Sequence, residues 1–148
     1  MKLLNSSSIY AIRALLYLDR HASKDMYTSI SEMSEKLSIS FHFLTKIMQT
    51  LARDGILVSH RGPTGGVMLC KKTDQIYLRD IIKTFEDEGF YDGCMLGLAG
   101  CSDENPCPAH DTWQTIKDNL KTMFDSSTIA SLAKLEGRIG LEQLKEGY

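Results

Sequence analysis

Residues 28–69 constrain this chain more than any other stretch. They read TSISEMSEKLSIS, then FHFLTKIMQTLARDGI, then LVSHRGPTGGVML. Ile30, Met33 and Leu37 recur at helical spacing, which predicts a short helix over 30–37. Ser38-Ile39-Ser40 forms a tight turn, and Ile39, its lone apolar residue, plugs the angle between two helices. Leu44, Ile47, Met48 and Leu51 make the inner face of a second helix, from Phe41 to Asp54, with Ser40 as its cap and Gly55 as a left-handed stop. Ile56–Ser59 and Val67–Cys70 read as paired strands about the loop HRGPTGG, whose glycines and proline suit a tight tip. Helix, short turn, helix and hairpin make a winged helix-turn-helix, a device for reading double-stranded DNA.

In such a unit the N-terminal residues of the second helix face base edges. Here these are Ser40, Phe41, His42, Thr45 and Lys46. His42, Thr45 and Lys46 offer hydrogen bonds to bases or phosphates, and Phe41 offers contact to a thymine methyl. Phe43, beside Leu44 and Ile47, packs inward. Arg61 suits insertion into a narrow minor groove, with Gly62, Pro63, Thr64, Gly65 and Gly66 forming the wing tip. Lys2 and Lys46 are expected on phosphates, which makes affinity fall with salt.

The flanks supply the rest of a mainly α fold with a small β-hairpin. Residues 7–22 read as a helix through Ile9, Ile12, Leu15, Leu16 and Leu18, with Ser6, Ser7 or Ser8 as its cap. Tyr77–Phe85 is a second amphipathic helix after a turn at Thr73–Gln75. A long helix runs from Asp111, its cap, to about Phe124, and carries one apolar stripe: Trp113, Ile116, Leu120, Met123 and Phe124. A stripe on a helix beyond the main domain suggests a partner surface, most simply a second copy of the chain. The other use for it is to fold back on its own domain. Thr128–Leu135 continues helically, and a tail follows from Gly137. The expected divisions are a DNA-binding domain over 1–86, a cysteine-rich loop over 87–110, and a dimerisation helix with tail over 111–148.

Charge divides along the same lines. Residues 1–80 carry eleven Lys/Arg against seven Asp/Glu and residues 81–148 six against twelve, +4 and −6 within a net −2. A basic front half beside an acidic rear half fits a nucleic-acid-binding lobe joined to another function. No run approaches eighteen apolar residues and the N-terminus lacks a signal peptide's apolar core, so a cytoplasmic protein without membrane contact is expected.

In that compartment four cysteines do not suggest stable disulfides. Cys70, alone on a strand, reads as a buried small hydrophobe. Cys94, Cys101 and Cys107 share an aperiodic loop over 89–110, spaced Cys-x6-Cys-x5-Cys-x2-His110. Three thiolates and an imidazole have the number and softness of ligands for zinc or an iron–sulfur cluster. Structural zinc usually takes tight Cys-x2-Cys pairs, whereas wide spacing on a loop with glycines at 93, 97 and 100 suits a cluster wrapped by backbone. Cluster-free thiol oxidation is a second use for such a loop. A structural zinc in an interaction module is a third, and a Cys–His nucleophile, which needs an oxyanion hole, is remote. An enzyme is not expected.

These features together resemble the Rrf-type winged-helix transcription regulators, the family that includes IscR, NsrR and CymR. The likeness covers residues 1–135. It rests on MKL and YAIRALLYL, on Ser31–Ser40, on DGILVSHRGPTGGVML, on the three-cysteine loop, and on CPAH followed by TIASLA. It implies a homodimer on a pseudo-palindromic operator, with the long helix crossing to the partner. It also implies a cluster in the loop that reports on cluster supply, nitric oxide or redox stress. Cys94, Cys101, Cys107 and His110 match the IscR ligand set for a 2Fe–2S cluster. The NsrR type holds 4Fe–4S with an acidic residue near the partner's N-terminus, where this chain has Asn-Ser-Ser-Ser. Two departures stand out. The x6 spacing is one residue longer than the usual x5, which leaves 4Fe–4S as the other cluster form. Thr45 replaces an acidic base-reading residue of IscR, so that operator preference does not carry over.

Overall fold

The computed structural model describes residues 3–23 and 25–135. Its elements are α1 (Ser6–His21), α2 (Ile30–Leu37), α3 (Phe41–Arg53), β1 (Leu57–His60), β2 (Gly66–Leu69), a 3-10 turn at Thr73–Gln75, α4 (Leu78–Phe85), α5 (His110–Ser126) and α6 (Ile129–Ala133). The architecture is mainly helical, with β1 and β2 as an antiparallel pair. The expected tail from Gly137, like Lys2, lies outside the described residues.

Helix α1 packs against α2, α3, α4 and α6. Its Ala11, Ala14 and Leu15 are fully buried, and the two alanines let neighbours approach closely. Arg13 is also buried, and its Nη2 donates to the Leu37 carbonyl at 2.9 Å. That carbonyl is one of the last four of α2, which lack partners within the helix, and a cation there also suits the helix dipole. The α2–α3 corner follows the expected form. Ser38 takes a left-handed conformation at φ 53°, and Ile39 is buried beneath it. Leu44, Ile47, Met48 and Leu51 point α3 into the core.

Three cap assignments differ from expectation. Asn5, not a serine, caps α1: its side chain accepts from the Ser8 N–H at 2.9 Å. Asn5 takes the cap because the helix starts at Ser6, which puts Ser8 inside the first turn, where its buried hydroxyl donates to Glu86. Ser40 precedes α3 without a capping bond. Helix α5 begins at His110, one residue before the expected cap Asp111, and has no side-chain cap.

The wing pairs Leu57 with Leu69 and His60 with Gly66. A third segment joins it that periodicity could not show. The Thr28 N–H donates to the Val67 carbonyl at 2.8 Å, and the Val67 N–H to the Thr28 carbonyl at 2.9 Å. Gly66 makes this approach feasible. It sits at φ +146°, and a Cβ there would lie 2.0 Å from the Thr28 carbonyl oxygen. Cys70, expected to be buried, is exposed. Strand β2 ends at Leu69, and only the Cys70 backbone is held, through its N–H on the Ile56 carbonyl.

A second unforeseen bridge fastens the C-terminal helices to the body. Leu78 N–H donates to Ser127 and Ile129 N–H to Ile76, each at 2.9 Å. Ile129 is fully buried, and α6 lies against α1. Phe124 was expected on the partner-facing stripe, but it is 3% exposed and packs beside Phe90 and Tyr91. It belongs to this chain's own core because it lies on the side of α5 that meets α4 and the start of the loop.

Replacing Gly66 by alanine should therefore cost roughly 3 kcal/mol, through left-handed strain and loss of the Thr28 bridge. Urea unfolding of the variant would show it as a lower midpoint; an unchanged midpoint would mean the bridge is dispensable.

Candidate functional site

The cysteine loop between α4 and α5 is a chain of tight turns. Backbone bonds run from Phe90 to Asp87, Asp92 to Gly89, Gly97 to Cys94, Cys101 to Leu98, and His110 to Cys107. Gly97, at φ +65°, lets the chain curl about the Cys94 sulfur. The Leu98 N–H bonds to that sulfur and is the main cause of a thiol pKa lowered to about 7. Partial burial opposes the shift, while the Leu96 N–H and the Cys101 and Cys107 thiols add to it.

The three predicted cysteines do converge. Cys94, Cys101 and Cys107 place their sulfurs within 4.8 Å of one another, and all are free thiols. Cys94 and Cys107 lie 3.7 Å apart. Tetrahedral binding of two thiolates at about 2.3 Å from one ion sets their sulfurs about 3.8 Å apart, so this pair suits a shared metal atom. His110 joins the remaining cysteine: its Nδ1 lies 3.3 Å from Cys101 Sγ. His110 thus stands beside one member of the three-sulfur group, Cys101.

Two contacts in the site escaped sequence reasoning. The Nε2 of His110 lies 2.8 Å from Asp103 Oδ1. Hydrogen bonds to Cys101 and then to Asp103 raise the imidazole pKa above its usual value, against partial burial. No spacing rule singles out Asp103, because a hairpin-like turn between Ser102 and Asn105 brings it back to the ring. The indole N–H of Trp113 donates to the Gly93 carbonyl at 2.7 Å. Trp113, expected on the partner-facing stripe, thus also ties α5 to the residue just before Cys94. Ile116 and Met123 are each 49% exposed, and Leu120 is half-buried against the core.

The residues expected at DNA lie together at the start of α3 and in the wing. Ser40, Phe41, His42 and Lys46 are exposed, whereas Phe43 is half-buried, with its ring edge-on to Tyr10. Thr45 is half-buried and its hydroxyl donates to the Phe41 carbonyl at 2.7 Å, which leaves its methyl and an acceptor oxygen on offer. Arg61, Gly62, Pro63 and Thr64 are exposed at the tip, while Gly65 and Gly66 are half-buried at its return.

The pattern of the Rrf2 family, described as an iron-dependent transcriptional regulator, matches residues 4–135. An HTH-type transcriptional regulator of Aquifex aeolicus is 35% identical over 129 residues, covering 86% of this chain and 88% of its own. The regulator IscR of Yersinia pseudotuberculosis is 29% identical over 129 residues, covering 87% and 77%. The solved structure of CymR, the global cysteine regulator of B. subtilis, superposes with a TM-score of 0.70 at 27% identity, over 90% of this chain and 97% of that one.

Changing Trp113 to phenylalanine keeps the ring and deletes the donor. The expected outcome is a loss of about 1 kcal/mol and faster amide exchange over 93–101, with α3 unaffected. Unchanged exchange in the loop would show that the indole bond does not hold it.

Proposed function

Because the chain belongs to the Rrf2 family of winged-helix, DNA-binding transcriptional regulators, which are not enzymes, we propose that it is a homodimer whose operator binding is set by an iron–sulfur cluster on Cys94, Cys101, Cys107 and His110. The observation that carries this reading is the convergence of three sulfurs on the loop, with the imidazole that opens α5 beside one of them. The set of three cysteines and one histidine is the 2Fe–2S type that the resemblance implies, with 4Fe–4S as the other form. Bound there, the cluster supplies a redox-active group sensitive to cluster supply, nitric oxide or redox stress.

The protein's own residues transmit its state. His110 opens α5 and Trp113, one turn on, grips the loop at Gly93. The exposed Ile116 and Met123 continue along the same helix and form the surface for a second copy of the chain. A change in ligand geometry at His110 would thus shift α5, and with it the spacing of the two α3 helices on a pseudo-palindromic operator. His42 and Lys46 with Phe41 and the Thr45 methyl meet one major groove per subunit, and Arg61 enters the minor groove beside it. Lys2 adds a phosphate contact in this reading. By linkage, cluster and DNA alter each other's affinity by the same factor. Among the described residues no helix is long and apolar enough to cross a membrane, and the proposed site of action is the cytoplasm.

A second reading has one observation in its favour. Sulfurs all within 4.8 Å of one another are also compact enough for a single zinc, which would make the loop a structural staple.

Protein purified without oxygen should contain iron and sulfide and absorb visible light. Cys101→Ala should lose the colour and remain dimeric by light scattering. Zinc in place of iron would favour the staple, and no iron or sulfide even after reconstitution would sink the cluster reading. On the DNA side, Arg61→Ala should weaken operator binding about tenfold and lower the salt slope by about one. An unaltered slope would remove Arg61 from the interface.

A further inference from the structure

We propose that Asp103 is a positioning residue for the metal centre: it holds the proton of His110 on Nε2, so that Nδ1 is the nitrogen presented to the metal. This deepens the reading of Cys94, Cys101, Cys107 and His110 as a metal-binding set and rests on it.

The two ring nitrogens have distinct surroundings. Nε2 lies 2.8 Å from the Asp103 carboxylate, an ordinary hydrogen-bond distance. Nδ1 lies 3.3 Å from the Cys101 sulfur, on the side where the three thiols gather. An ionised carboxylate only accepts hydrogen bonds, so the nitrogen facing it must carry hydrogen. A neutral imidazole has a single ring proton, so Nδ1 keeps its lone pair, which faces the Cys101 sulfur and in the metal-free protein accepts from that thiol. Histidine ligands in metal sites commonly donate their other N–H to a carboxylate in this way, which fixes both tautomer and ring plane.

The fold makes Asp103 the residue for this task. It lies seven positions before His110, in the Ser102–Asn105 turn, where the Ser102 and Asn105 backbones bond to each other. Its side chain is 94% exposed while that of His110 is 14% exposed. A charge so exposed acts little through space, because water screens it. Its effect comes through the directional hydrogen bond, and it should therefore survive in salt. Glu104 and Asp111 are also acidic neighbours in sequence, but Asp103 is the one with a bond to the ring among the described residues.

The test uses the full chain with Asp103→Ala and Asp103→Asn. Long-range proton–nitrogen NMR on metal-free protein, above the imidazole titration, reads the tautomer of His110 directly. The wild type should show the proton on Nε2, the alanine variant should lose that preference, and the asparagine variant, which keeps an acceptor oxygen, should retain part of it. Reconstituted protein then reads the consequence. Loss of iron to a chelator should be about tenfold faster in Asp103→Ala than in wild type, with Asp103→Asn between, and the visible spectrum shifted. The same His110 tautomer in wild type and Asp103→Ala, or equal chelation rates, would overturn the proposal. A wild type that takes up no metal would sink the metal-site reading instead, while the NMR comparison on the same sample would still judge the tautomer.

Discussion

Ala11, Ala14, Leu15 and Leu18 line the buried side of α1, and four other helices close on that helix. Burying a leucine side chain contributes about 2 kcal/mol, and losses of chain entropy offset most of the sum. The stability of each neighbour therefore depends on contact with α1 rather than on its own length. Helices α2 and α4 are eight residues each and α6 is five, too short to persist alone in water. Arg13 sharpens the arrangement by bonding the end of α2 from within the core. The reading head and the C-terminal helices thus share one core, and α6 returns to α1 rather than projecting away from it.

The cysteine loop has no such core. Met95, Leu96 and Leu98 are all at least half exposed, so hydrophobic burial does little to place the sulfurs. Backbone turns place them instead, with the Trp113 indole at one end and His110 at the other. A metal group binding the sulfurs would add interactions comparable to those that already hold the segment. Both end points lie in the first turn of α5. Mechanical strain in the loop has a short route into that helix, whose far end is anchored by Phe124 and by the Ser127–Leu78 bond.

The reading head shows a similar division of labour. Its buried side is set by Leu44, Ile47, Met48 and Leu51, while the residues that would meet DNA carry few internal bonds. Thr45 is the exception. Its hydroxyl proton is committed to the helix backbone, so the position presents a methyl and an acceptor but no donor. The wing is braced from the opposite side by Thr28, which makes the segment before α2 part of the wing.

Much of this was legible in the sequence because its cause is local. Helical spacing gave α2 and α3 nearly to the residue, Gly55 marked the end of α3, and the turn residues of HRGPTGG marked the wing. The three cysteines and His110 could be named as a group from type and spacing alone, since few other chemistries use that donor set. What the sequence left open depends on residues far apart in the chain. The Thr28–Val67 and Leu78–Ser127 bonds span about forty and fifty residues, and no periodicity encodes them. Asn5 rather than a serine caps α1, and distant Glu86 accepts from both the Asn5 N–H and the Ser8 hydroxyl. Phe124 is core and Cys70 is surface because their neighbours are set by packing, not by hydropathy. Sequence by itself determined which elements form and which atoms have the chemistry to bind a metal. Only the tertiary structure decided how those atoms are held, because Asp103 and Trp113 reach their partners through turns whose closure depends on the whole loop.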